Sequence, residues 1–144
     1  MTHAYKEYFL DDAMETLGSA VEYAVLSLNI EGQEFLDLFL ASGIAERFGQ
    51  GDAMYLSGMS GIELARKVLT VCGKTIPSYT ENSSCHYSPE YWVGWILAYY
   101  QWYCGKPFSM ILPKLRYQSL RNLYGVLHEA DPSKAASVFD ELLS

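Results

Sequence analysis

SPEYWVGWILAYYQWYCGKPF, Ser88 to Phe108, decides how the rest of the chain is read. Eight aromatic residues fall between Tyr91 and Phe108, with no carboxylate among them. Ser88 is a good N-cap, Pro89 a good first helical residue and Glu90 a favourable first-turn acid, so a helix starts here. Gly105 and Pro107 end it. The expected helix, residues 89–104, is too short for a membrane, because Tyr91 to Cys104 is 14 residues and a span needs about 20. Tyr91, Trp95, Tyr99 and Tyr103 step by four along one face, and Trp92, Ile96 and Tyr100 along a neighbouring one. Gln101 is the one plainly polar side chain inside the helix. A helix apolar nearly all round belongs in the centre of a fold. Tyrosine and tryptophan, however, carry polar tips that need partners or water. The expectation is a central helix with buried ring stems and tips reaching the surface, where rings serve as contact points for a partner. Stacking on a base or sugar is a further use of such rings.

Around this helix the chain reads as helices throughout. Leu10, Met14, Leu17, Val21, Ala24, Val25 and Leu28 recur at three- and four-residue steps, with Asp11, Asp12, Glu15 and Glu22 off the stripe. Gly18, inside that pattern, is read as a point where another helix approaches closely. Phe35, Leu38, Phe39 and Ile44 mark the buried face of a second helix, and Gly43 its left-handed end or a bend. Ser60 and Glu63 form a capping box ahead of Ile62, Leu64, Ala65, Val68 and Leu69, and Gly73 stops that helix. "FSMILPKL" gives one helical turn before Pro113, followed by helices near Gln118–Leu127 and Pro132–Leu143, the last capped by Asp131. "MYL" and "KTIP" are short enough to be extended pieces. The expected fold is all-α, a single compact domain spanning 1–144, of about six or seven helices around the aromatic one. The polar stretch 74–87 reads as an exposed loop and a candidate contact site.

Charge is unevenly laid out. The chain carries a formal net charge of −7. Tyr91 to His128 holds Lys106, Lys114, Arg116 and Arg121 and no acid, leaving 6 basic and 17 acidic residues elsewhere. Such acidity opposes duplex DNA and anionic membranes and suits a basic partner or simple solubility. The order of elements in 105–127 outlines a helix-turn-helix, with Lys114, Arg116, Gln118 and Arg121 facing DNA. The milder alternative is a patch that docks an acidic region of a partner or a second copy of the chain. A third use of the charges is mimicry of nucleic acid against a host defence nuclease, through Asp11, Asp12, Glu15, Asp37, Glu46 and Glu63.

Catalytic constellations are weak. Cys72, Cys85 and Cys104 are odd in number and widely spaced, with no CxxC pair, and free thiols suit a reducing cytoplasm. Cys85–His86 are sequence neighbours, and such neighbours rarely point at each other. His128–Glu129–Ala130–Asp131 is better explained by capping. No phosphate loop or dinucleotide fingerprint is present in "FGQGDAMYLSGMSG". No cofactor, metal or catalytic residue is expected. The N-terminus lacks the plan of a signal peptide, which places the protein in the cytoplasm.

"FLDLFLASGIAERFGQGDAMYLSGMSGIELARKVL", residues 35–69, followed by the aromatic helix and "LYGVLHEAD", residues 123–131, resembles an uncharacterised family of small acidic proteins from gut-type Firmicutes and their mobile elements. The likeness runs over roughly residues 17–142, and "EYW.GW.LAYYQWY.G" is its most distinctive piece. Members are often encoded beside toxins of the ADP-ribosyltransferase type. The resemblance implies an accessory or antitoxin-like protein that acts on another protein, with no assigned catalytic residue to carry over. Where members commonly have "SF.EI" after the aromatic helix, this chain has "PFSMIL". The expected contact residues are Tyr91, Trp92, Trp95, Tyr99, Lys106, Lys114, Arg116 and Arg121.

Overall fold

A computed structural model describes residues 2–77 and 88–144. The loop 74–87, with Cys85 and His86, therefore falls mostly outside the described residues. The described chain is all helical: α1 (Leu10–Glu22), α2 (Gly32–Ala41), α3 (Ile44–Gly49), α4 (Ala53–Leu56), α5 (Gly61–Val71), α6 (Pro89–Cys104), α7 (Phe108–Ile111), α8 (Tyr117–Leu127) and α9 (Pro132–Leu143). These are nine helices among the described residues, where six or seven were expected. The difference is the single-turn pieces, too short to show periodicity. Residues 54–56, read as a short extended piece, lie in α4, which Asp52 caps by accepting from the Met54 amide.

The caps form as the sequence requires. Ser88 Oγ accepts from the Tyr91 amide at the start of α6, and Gly105 closes it at φ +73°. The Ser60–Glu63 capping box is complete at both bonds. Asp131 accepts from the Ser133 amide at the start of α9. Gly43, at φ +81°, turns α2 into α3 with the left-handed residue the sequence indicated.

α6 and α1 make the most extensive helix pair. Glycine makes that pairing possible. A Cβ on Gly94 would lie 2.3 Å from the Leu17 carbonyl oxygen, and one on Gly18 would lie 3.0 Å from the Tyr91 carbonyl oxygen. The close approach expected at Gly18 is therefore real, and Gly94 completes it from the other side. α1 is pressed on a second flank too, where a Cβ on Gly61 of α5 would meet the Thr16 carbonyl oxygen at 2.6 Å. α1 continues through a wider π-helical turn, Tyr23–Ser27, and ends at Asn29, whose φ of +57° is a conformation asparagine tolerates.

The core joins Leu17 and Val21 of α1 and Ala24 of the π-helical turn to Val93, Ile96, Leu97 and Tyr100 of α6, all enclosed. Phe39, Phe48 and Phe108 meet edge to face, with ring centroids 5.4–6.0 Å apart, and lock α2, α3 and α7 together. Gln101, buried in α6, donates from Nε2 to the carbonyls of Gly49 and Lys106, so the polar residue of the aromatic helix ties its end to α3 and to the link before α7.

Candidate interaction surface

The two four-step rows of α6 meet different fates. Trp92, Ile96 and Tyr100 are buried. Tyr91, Trp95, Tyr99 and Tyr103 are each only partly covered, and Trp95, Tyr99 and Tyr103 pack on the core beneath. Trp92 is thus corrected from a contact residue to a core one: it is 5% exposed and sits edge-on to Tyr124 of α8 at 6.0 Å. Tyr100 donates to Asp140 of α9 at 2.6 Å and stands edge-on to Phe139. Trp102 donates to the Tyr5 carbonyl and carries His3 stacked at 3.8 Å, so the N-terminal segment covers it.

The partly exposed row runs between acidic groups. Tyr91 lies over Gly18, and its hydroxyl is pushed up to about 12 by burial and then by the charges of Glu15 and Glu22. Tyr99 is raised by burial, then by Asp131, with Tyr103 and Glu7 also contributing. Tyr99 and Tyr103 stack with centroids 6.1 Å apart at 19°.

A cleft of about 380 Å³ lies between α1 and the α4–α5 junction. Asp12, Glu15 and Glu22 are among its lining residues, and no basic residue lines it. Glu22 is 2% exposed and accepts from Ser88 Oγ at 2.5 Å, which joins α1 to the start of α6. Thr16, in the floor, donates to the Leu56 carbonyl. Sequence reading placed Asp12 and Glu15 off the apolar stripe and among the charges of nucleic-acid mimicry, with no cleft between them. Nothing local signalled the cleft, because its opposite wall comes from residues 57–62.

The basic residues do not form a single patch. Arg121 donates to the buried Glu90 at 2.6 Å, with 42% of its own side chain and 7% of the Glu90 side chain exposed. That bond is the leading reason the Arg121 guanidinium is held above its usual range. Lys106 is exposed just beyond the other end of α6, and Glu90 lies fourteen residues of helical rise, about 21 Å, from that end at Cys104. Lys114 Nζ donates to the Leu143 carbonyl. Arg116 is exposed at the N-cap of α8, where the Tyr117 amide is taken up by Gln33 of α2 instead of by a local cap. Arg116 and Arg121 share a shallow cavity of about 490 Å³ with Glu31 and Glu90, which balance their charge. In the helix-turn-helix outline α7 contributes one turn, and Tyr117 and Leu120 of α8 are buried.

The acids assigned to nuclease mimicry are dispersed over α1 (Asp11, Asp12, Glu15), α2 (Asp37), α3 (Glu46) and α5, where Glu63 is used by the capping box. Among the described residues, no group of three or more His, Cys, Asp or Glu is placed to hold a metal ion, and no helix is long and apolar enough to cross a membrane. No family model, curated protein or solved structure matches the chain.

Proposed function

We propose that the chain is a non-enzymatic protein-interaction module that acts by surface contact, in the manner of an antitoxin or accessory protein of a toxin–antitoxin or phage-conflict locus. The observation that carries this reading is the partly exposed row Tyr91, Trp95, Tyr99 and Tyr103 on a helix anchored in the core. Rings held by a rigid helix lose little side-chain freedom on binding, and tyrosine and tryptophan dominate binding hot spots. The row's acidic flanks and the net charge of −7 favour a basic surface as its counterpart. The locus type rests on the family resemblance, and the cytoplasm is the compartment such a partner would share.

Affinity capture from cells of the native host, with the wild-type chain and with Trp95→Ala/Tyr99→Ala, tests the reading. The wild type is expected to recover one protein near 1:1, and the double variant to lose at least about tenfold of it while keeping its helical circular dichroism. Recovery of no stoichiometric partner, or equal recovery by both chains, overturns it. Duplex binding through residues 114–121 predicts a gel shift with the chain's own promoter at low salt, lost in Arg121→Glu.

A further inference from the structure

Trp95, Tyr99 and Trp102 stand at i, i+4 and i+7 of α6, which is one face of a helix. Tyr99 and Trp102 are in ring contact, with centroids 5.9 Å apart. Yet Trp95 and Tyr99 are partly exposed, while Trp102 is 5% exposed. The difference comes from outside the helix, because residues 2–5 lie over Trp102.

Those residues form no helix. Ala4 donates its amide to the Trp102 carbonyl at 2.9 Å, and Trp102 Nε1 donates to the Tyr5 carbonyl at 2.8 Å. His3 stacks on the indole at 3.8 Å and comes within 6.4 Å of the Tyr103 ring. Two glycines make room for the segment. A Cβ on Gly105 would lie 2.6 Å from the Thr2 carbonyl oxygen, and one on Gly51 would lie 2.7 Å from Tyr5 Cβ. Past Lys6 the chain is fixed again: the Phe9 amide donates to the Lys6 carbonyl at 3.0 Å, Phe9 packs on the core, and Leu10 opens α1. Displacement of the segment therefore ends at Lys6, which is exposed and extended.

The seat is imperfect. The Tyr5 hydroxyl is buried and has no hydrogen-bond partner among the described residues. An unpaired buried hydroxyl raises the free energy of the covered form, and water satisfies it once the segment lifts. Thr2 and His3 are exposed on the outer side. A short extended segment held by a few bonds opens locally, without the core.

We propose that residues 2–5 are a displaceable cover over the end of the ring row, and that the partner engages the uncovered form, in which Trp102 joins Trp95 and Tyr99. This deepens, and rests on, the reading of that row as the contact surface. Lifting the cover frees the indole face, its N–H and the Trp102 carbonyl together. Tryptophan is the best aromatic acceptor of a cation, so the uncovered ring suits the basic counterpart that the net charge of −7 favours.

Hydrogen exchange of the Trp102 indole N–H, followed by NMR on the full chain, tests the cover without a partner. In the wild type it is expected to run at least about tenfold faster than exchange at the Val93 and Leu97 amides, and to depend little on added urea. The same rate and the same urea dependence as those amides would make the segment part of the core and overturn the proposal. His3→Ala/Ala4→Pro removes the stack and the Ala4 amide donor, and should speed indole exchange at least about tenfold. Tyr5→Phe removes the unpaired hydroxyl, and should slow it at least about fivefold. No change in either variant, or changes of the opposite sign, also overturn it. In the host capture experiment the loosened variant should recover at least about threefold more partner than wild type, and Tyr5→Phe at least about threefold less. If both recover it as wild type does while Trp95→Ala/Tyr99→Ala loses it, the cover is wrong and the ring-row reading stands. If the ring variant keeps the partner as well, both fail.

Discussion

Two rows of α6, one residue apart and alike in composition, have opposite surroundings. Trp92, Ile96 and Tyr100 are enclosed by α8, α9 and the core. Trp95, Tyr99 and Tyr103 cover the core from outside, Tyr91 lies over Gly18, and all four are only partly buried. Ring identity therefore says little about role, because what packs on the next face decides it. The buried row couples α6 to the last two helices, through the Tyr100–Asp140 bond and the Trp92–Tyr124 edge contact.

The sharpest way to break this contrast is truncation of neighbouring tyrosines. Tyr100→Ala empties a fully enclosed site and also removes the Asp140 bond, so a loss of about 4 kcal/mol is expected. Tyr99→Ala, on the outer row, should cost about 1 kcal/mol. Urea unfolding followed by circular dichroism checks both, and similar losses would show that the rows are energetically alike.

A somewhat smaller effect tests why the rows sit where they do. α6 is oriented by its backbone contact with α1 at Gly94. Gly94→Ala places a Cβ 2.3 Å from the Leu17 carbonyl oxygen, and neither backbone yields cheaply. Overpacking of about 3 kcal/mol outweighs the roughly 1 kcal/mol gained in helix propensity, giving a net loss near 2 kcal/mol. Gly125 of α8 is the control, since a Cβ there meets nothing within 4 Å, and Gly125→Ala should stabilise by up to about 1 kcal/mol. Thermal melting of both variants separates the two signs. A neutral Gly94→Ala would mean that α1 and α6 slide readily and that the division into rows is not fixed by their contact.

Much of this was legible where the signal is local. Ser88, Ser60, Asp131 and Gly105 announce helix ends through bonds made within a few residues. Gly18 stood out as a small residue within an apolar stripe. The all-α class followed from the three- and four-residue steps. What stayed hidden depends on partners distant in sequence. Trp92 and Trp95 look equivalent until α8 covers one of them. Glu90 reads as a first-turn acid, yet its side chain is buried against Arg121, 31 residues on. That pairing withdraws one of the four cations from the apparent basic patch. The start of α8 looks uncapped because Gln33 caps it from α2. The cleft needs α1 and residues 57–62 to be neighbours, which no periodicity in either reveals.

The smallest expected effect sharpens the contrast by titration. Tyr91, on the outer row, has its hydroxyl raised from 10.0 to about 12, by burial first and then by Glu15 and Glu22. The folded chain therefore holds this proton more tightly than the unfolded chain. Its contribution to stability is fully present below pH 10 and is lost as pH rises through about 12. Tyr91→Phe removes the group, so stability measured by urea unfolding should fall less steeply than wild type across that interval. A full shift of this size would correspond to about 1.4 kcal/mol per unit, but the ring is half-exposed and screened by water, so a difference below about 1 kcal/mol is expected. Tyr100, enclosed and bonded to Asp140, is also raised by burial, and its ionisation would leave an anion facing a carboxylate. Tyr100→Phe should therefore flatten the alkaline limb more than Tyr91→Phe does, and the reverse order would mean that the outer row, not the inner one, is the more deeply shielded from solvent.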